Sequence, residues 1–208
     1  MHSEIEAEKQ APYDALAVHY RAVSEARAAY LNAVEQILFQ RIPKDASSLL
    51  DVGAGDGHRA MRLAKARNIS NLVLAEPSHE MRRLCRQNTD AEIWPVRAEE
   101  LPEADSRFSV ITCLWNVLGH VEGREKRLTA LRRMRVLLDD DGVMFIDLNN
   151  RYNAVNYGPL QTFGRMLYDA VAPVRNKRRC PDNLARRRRV DSFDLACLHA
   201  ARDCRAAA

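Results

Sequence analysis

The sequence predicts an α/β domain built on a doubly wound, mostly parallel sheet. Three observations lead there. Short apolar runs at Ser48–Val52, Asn71–Ala75, 92–96, 108–114 and 143–148 alternate with stretches of helical periodicity, an order that right-handed crossovers turn into a parallel sheet. The first run ends in glycines at alternate positions, Gly53, Gly55 and Gly57, which free the backbone to turn tightly beside a ligand. The second run ends in an acid, Glu76, 19 positions past Gly57.

Composition narrows the class. The 208 residues are 47% apolar and 29% charged, as in one soluble domain with a tail. No apolar run approaches the roughly 20 residues that cross a bilayer. The start, Met1-His2-Ser3-Glu4, lacks a basic stretch leading into an apolar one, so no signal peptide is expected. The five cysteines are scattered without C-x-x-C spacing, which predicts a reducing, cytoplasmic setting, no disulfide framework and no metal site. The net charge of +4 is uneven. Residues 174–208 hold ten Arg or Lys against four Asp, so the tail carries +6, which leaves −2 for residues 1–173.

The glycine loop decides the ligand class. A strand, a glycine loop and a helical pattern over 59–67 form a corner that binds anions or cofactors. A dinucleotide fingerprint spaces its third glycine three residues after the second. Here the spacing is G-x-G-x-G behind Asp51, and that carboxylate would repel a pyrophosphate while suiting an ammonium and a sulfonium. The nonapeptide from Leu49 to Gly57 resembles motif I of the class I S-adenosylmethionine-dependent methyltransferases. The resemblance extends over about residues 12–160 and implies a Rossmann-like methyltransferase fold with S-adenosylmethionine as cofactor. It assigns Asp51, Gly53, Ala54, Gly55 and Gly57 to the amino-acid end, Glu76 and Pro77 to the ribose, and Ala98 and Glu99 to the adenine. Leu114, Trp115 and Asn116 would line the methionine side.

Residues 1–12 are polar and read as loose. A helical pattern over 14–41 ends at Ile42-Pro43. It packs on the sheet or, as the resemblance implies, covers the cofactor with Tyr13, Tyr20 or Arg21. Ser78 caps a helix with Met81, Leu84 and Cys85 inward. The strand at 92–96 carries Pro95, which suits a sheet edge. His120, in the loop after the fourth strand, is a candidate general base or a structural hydrogen-bonding group. A helix over 124–138 leads into an Asp-Asp-Asp-Gly turn at 139–142 and the fifth strand. The following loop offers Asn149, Arg151, Tyr152 and Tyr157 as substrate contacts, and Pro159–Val171 reads as a last helix. A polar tail with two Arg-rich runs follows. It is either solvated or a nucleic-acid tether, and it lacks the interleaved aromatics that would favour the second.

The expected function is methyl transfer to a small-molecule acceptor. The alternatives are a cofactor-binding subunit without turnover and an RNA methyltransferase using the tail. The family fold adds a sixth and a seventh strand, and the chain shows at most one weak candidate near 190–198. Without them the fifth strand is an open apolar edge that invites a homodimer or another partner.

Overall fold

The computed structural model describes residues 14, 17, 19–103, 107–150 and 152–171. The 1–12 segment, Tyr13, Arg151, the weak strand near 190–198 and the basic tail lie outside the described residues, as does the side chain of Arg21. The described residues divide into two compact units: those up to 21 with 34–149, and those of 22–33 with 150–171.

The first unit carries a five-stranded parallel sheet in the order β3-β2-β1-β4-β5. The strands are β1 (Ser48–Val52), β2 (Asn71–Ala75), β3 (Glu92–Trp94), β4 (Phe108–Cys113) and β5 (Leu138–Ile146). Both faces are covered, which is why the strands read as continuous apolar runs. Leu50, Val52, Ile111 and Cys113 face one core with Ala130, Met134 and Leu137 of helix α6 (Arg124–Leu137). Leu49, Leu74 and Val110 face the other. There they meet Leu38 of α2 (Ala28–Arg41), Leu63 of α3 (His58–Arg67) and Cys85 of α4 (His79–Asn88). Desolvation pushes the Cys85 and Cys113 thiols up to about 12, so both are packing groups and not nucleophiles.

Several boundaries differ from the sequence expectation. The helix expected over 14–41 is interrupted: α1 (Tyr20–Ala26) and α2 are separate, because the Arg27 amide bonds back three residues to Ser24 and closes a tight turn. Strand β3 sits at the edge as expected, but it stops at Trp94 because Pro95 has no N–H to continue the ladder. The predicted turn at 139–142 is instead part of β5. Phe108 pairs with Leu138 and Val110 with Val143, so the acidic run is bulged out of register between them. A short helix α5 (Val117–His120) replaces the expected loop.

Ser78 caps α4 as predicted, its hydroxyl accepting from the Met81 amide at 3.2 Å. Ser78→Ala is expected to lower stability by about 1 kcal/mol, read as a lower denaturation midpoint at unchanged slope. In the second unit, α7 (Ala154–Tyr157) and α8 (Pro159–Val171) follow the polar loop. Among the described residues no helix is long and apolar enough to cross a membrane.

Candidate functional site

The carboxyl ends of β1, β2, β4 and β5 converge on the glycine loop, where doubly wound sheets bind ligands. Gly53, Gly55 and Gly57 all take positive φ, at 72°, 61° and 72°. A side chain would be strained there, and the space is filled as well. A Cβ on Gly53 would strike Val117, and one on Gly55 would strike the ring of Tyr20. The loop is pinned to β2: the Gly53 and Ala54 amides donate to the Ala75 carbonyl at 2.8 and 3.2 Å.

Glu76 joins both sides of the corner. Its carboxylate accepts from the Gly55 amide at 2.8 Å and from the Ser78 amide at 2.9 Å. Burial raises its carboxyl to about 7 despite these bonds. A carboxyl raised in the folded state stabilises the fold fully below its unfolded value, and that contribution fades as pH rises through the folded value. The free protein should therefore lose stability between about pH 4.5 and 7 through this group. Pro77 is half-buried, and Arg82 donates to its carbonyl at 2.5 Å.

Asp51 is fully buried. It accepts from Thr112 Oγ1 at 2.6 Å, and its two oxygens accept from Arg59 Nη2 at 2.9 Å each. Burial alone would depress the guanidinium, but the adjacent Asp51 carboxylate overcomes this and holds Arg59 charged. Arg59 and Thr112 are absent from the sequence reading. Their signal was weak: an arginine in a first helical turn reads as solvent-facing until the fold brings it back on Asp51.

The wall after β4 is unusual. Trp115 and Asn116 both adopt left-handed backbone, at φ 64° and 59°. Asp147, at the end of β5, holds them by accepting from the Trp115 amide at 2.8 Å and the Asn116 amide at 2.6 Å. Asp147 was also missed, read only as a strand residue. The Asn116 side chain accepts from the Asn149 amide at 3.3 Å, which brings one expected substrate residue to this wall. Leu114 is buried beneath it.

Ala98 is buried at the start of a 3-10 turn, Ala98–Glu100. Glu99 lies 3.9 Å from Lys126 Nζ. Tyr20 lies over the loop, its ring 5.8 Å from that of Trp115. Its phenol is raised by burial, with Arg59 opposing and Asp56, Glu76 and Asp51 reinforcing. Asp14 is tied to α4, accepting from the Ser78 hydroxyl at 2.5 Å and the Glu80 amide at 3.3 Å. His120 ends α5 in an exposed position, where partial desolvation by the surrounding protein lowers its pKa. In the second unit Tyr152 donates to Asp169 at 2.6 Å, and Arg165 stacks over Tyr157 at 4.1 Å. Among the described residues no cluster of His, Cys, Asp or Glu could hold a metal ion.

A parallel sheet with a glycine loop and an acid at the end of its second strand defines a Rossmann-like nucleoside-cofactor domain. Residues 49–142 match the family described as a methyltransferase domain, in line with the resemblance of the glycine loop to the class I S-adenosylmethionine-dependent methyltransferases. It is 30% identical over 111 residues to a dTDP-3-amino-3,6-dideoxy-alpha-D-glucopyranose N,N-dimethyltransferase of Streptomyces fradiae, covering 53% of this chain and 42% of that one. It is 28% identical over 141 residues to an uncharacterized protein of Methanocaldococcus jannaschii, covering 68% and 51%. Among solved structures it is similar to the sugar N-methyltransferase KedS8 from Streptoalloteichus, at TM-score 0.53 and 25% identity, covering 64% and 52%. The chain thus spans about half the length of the curated relatives it matches.

Proposed function

We propose that this chain binds S-adenosylmethionine in the glycine corner and transfers its methyl group to a small-molecule acceptor. One observation carries the reading: three positive-φ glycines make a tight turn against which Tyr20 and Val117 pack too closely for any β-carbon, and the buried Glu76 stands at its rim. A carboxylate there suits hydroxyl donors and a cation, and it disfavours a phosphate.

Gly53, Ala54, Gly55 and Gly57 would take the amino-acid end, with Asp51 buried beneath them. Glu76 and Pro77 would take the ribose, Ala98 and Glu99 the adenine, and Leu114, Trp115 and Asn116 the methionine side. The bound cofactor supplies an already electrophilic methyl carbon. The chain's task is orientation and exclusion of water. Tyr20 and Trp115 provide an aromatic cover over the loop, and Asp147 fixes the wall that Asn116 presents. His120 is the proposed proton acceptor where the acceptor atom needs deprotonation; desolvation lowers its pKa, which favours the neutral imidazole. Asn149, Arg151, Tyr152 and Tyr157 are the proposed acceptor contacts. An amino sugar is the class to assay first, since the Streptomyces fradiae relative is named for one.

Calorimetry tests the cofactor, and Glu76 gives it a signature. Ribose hydroxyls donate to the ionised carboxylate, so binding should favour ionisation. Affinity should rise with pH and level off above about 7, with release of up to about half a proton at pH 7. That release is measured by repeating the titration in buffers of different ionisation enthalpy, and Glu76→Gln should abolish it. A heat of binding with no proton release would remove Glu76 from the ribose. No binding at all would remove the proposed function.

A further inference from the structure

We propose that Arg59 holds the carboxylate of the cofactor's amino-acid end, and that Asp51 acts only through Arg59. This rests on the cofactor reading above and adds the residue that recognises the anionic group.

The Asp51 carboxylate is already committed. It is fully buried, Thr112 and Arg59 share one of its oxygens, and Arg59 takes the other. Its charge is matched inside the protein, which removes it as a direct partner for the ligand's ammonium. Arg59 is not used up by this pair. Both bonds come from Nη2, while Nε is buried with no acceptor among the described residues. A buried, unpaired guanidinium donor is unfavourable until an acceptor arrives, and a carboxylate is the acceptor whose geometry fits the planar fork.

The surrounding charges point the same way. Of the groups that act most strongly on the Tyr20 hydroxyl above Gly55, Arg59 is positive, and Asp51, Asp56 and Glu76 are negative. A zwitterionic end entering this corner meets Arg59 for its carboxylate, with Asp56 and Glu76 on the side of its positive groups. Asp51 sets where that cation sits, as a positioning residue.

The test is calorimetry on the full chain with two ligands, S-adenosylmethionine and its decarboxylated analogue, which keeps the ammonium, sulfonium, ribose and adenine. The wild-type chain should prefer S-adenosylmethionine by roughly tenfold or more. Arg59→Met should erase that preference, weakening S-adenosylmethionine by about tenfold and the analogue by less than about threefold. Arg59→Lys should restore part of it. Arg59→Met leaves Asp51 buried without a counter-charge and can unfold the domain, so Asp51→Asn/Arg59→Met, which removes both charges, is measured beside it and must show the same lost preference. Equal wild-type affinity for the two ligands, or an equal loss for both in the variants, overturns the inference and leaves the cofactor site standing. A wild-type chain that binds neither ligand overturns the cofactor reading, and this inference with it.

Discussion

Gly55→Val is expected to reduce cofactor affinity by roughly a hundredfold or more, to below detection in a standard titration. Two costs combine. A residue with a β-carbon at φ 61° is strained by about 1–2 kcal/mol, and the new side chain runs into the Tyr20 ring. Relief by moving the loop breaks the amide bond from Gly55 to Glu76, worth about 1.5–3 kcal/mol for a charged acceptor. Together these reach about two decades in affinity. The same substitution combined with Tyr20→Ala separates the causes. Recovery would assign the loss to the ring, and no recovery would assign it to backbone strain. Wild-type affinity in the single variant would mean that the loop does not touch the ligand.

Asp147→Ala should produce the largest loss of stability away from the hydrophobic cores, about 2–4 kcal/mol at unchanged denaturant slope. Trp115 and Asn116 are consecutive left-handed residues without the freedom of glycine, and such conformations persist only when their surroundings impose them. The Asp147 carboxylate does so with one oxygen on each amide. Asp147→Asn, which keeps one acceptor, should lose about half as much. Cofactor affinity should fall in the same order, because the wall that Asn116 presents depends on this turn. A drop in stability with intact affinity would make Asp147 purely structural.

These two sites differ in how far the sequence announced them. Gly55 stands in a local pattern whose spacing alone marks a tight turn, and the sheet follows from the alternation of apolar runs with helical ones. Pro95 marked the edge strand for a reason that any single sequence displays: it has no amide hydrogen. Asp147 had no such mark. It gains its role because β5 pairs beside β4 and brings residue 147 to the amides of 115 and 116, a juxtaposition no window of sequence contains. Arg59 is intermediate, eight residues from its partner but separated from it by three glycines whose dihedrals decide where it points. The acidic run at 139–142 misled for the opposite reason. Its composition is that of a turn, yet β4 pairs on both sides of it, and tertiary pairing overrode local preference.

That displaced run has a consequence for how the molecule behaves in a crowded solution. Among the described residues β5 pairs only with β4, so its outer side is the kind of surface on which chains stack into fibres. Asp139, Asp140 and Asp141 occupy its first half, out of step with the ladder and with Asp140 and Asp141 exposed. A second strand laid there would meet broken hydrogen-bond spacing and crowded negative charge, much as gatekeeper residues interrupt sticky segments in other proteins. Among the described residues, the stretch from Val143 to Ile146 carries no such charges. The same irregularity that hides the strand's true start from a sequence reader thus also guards its rim.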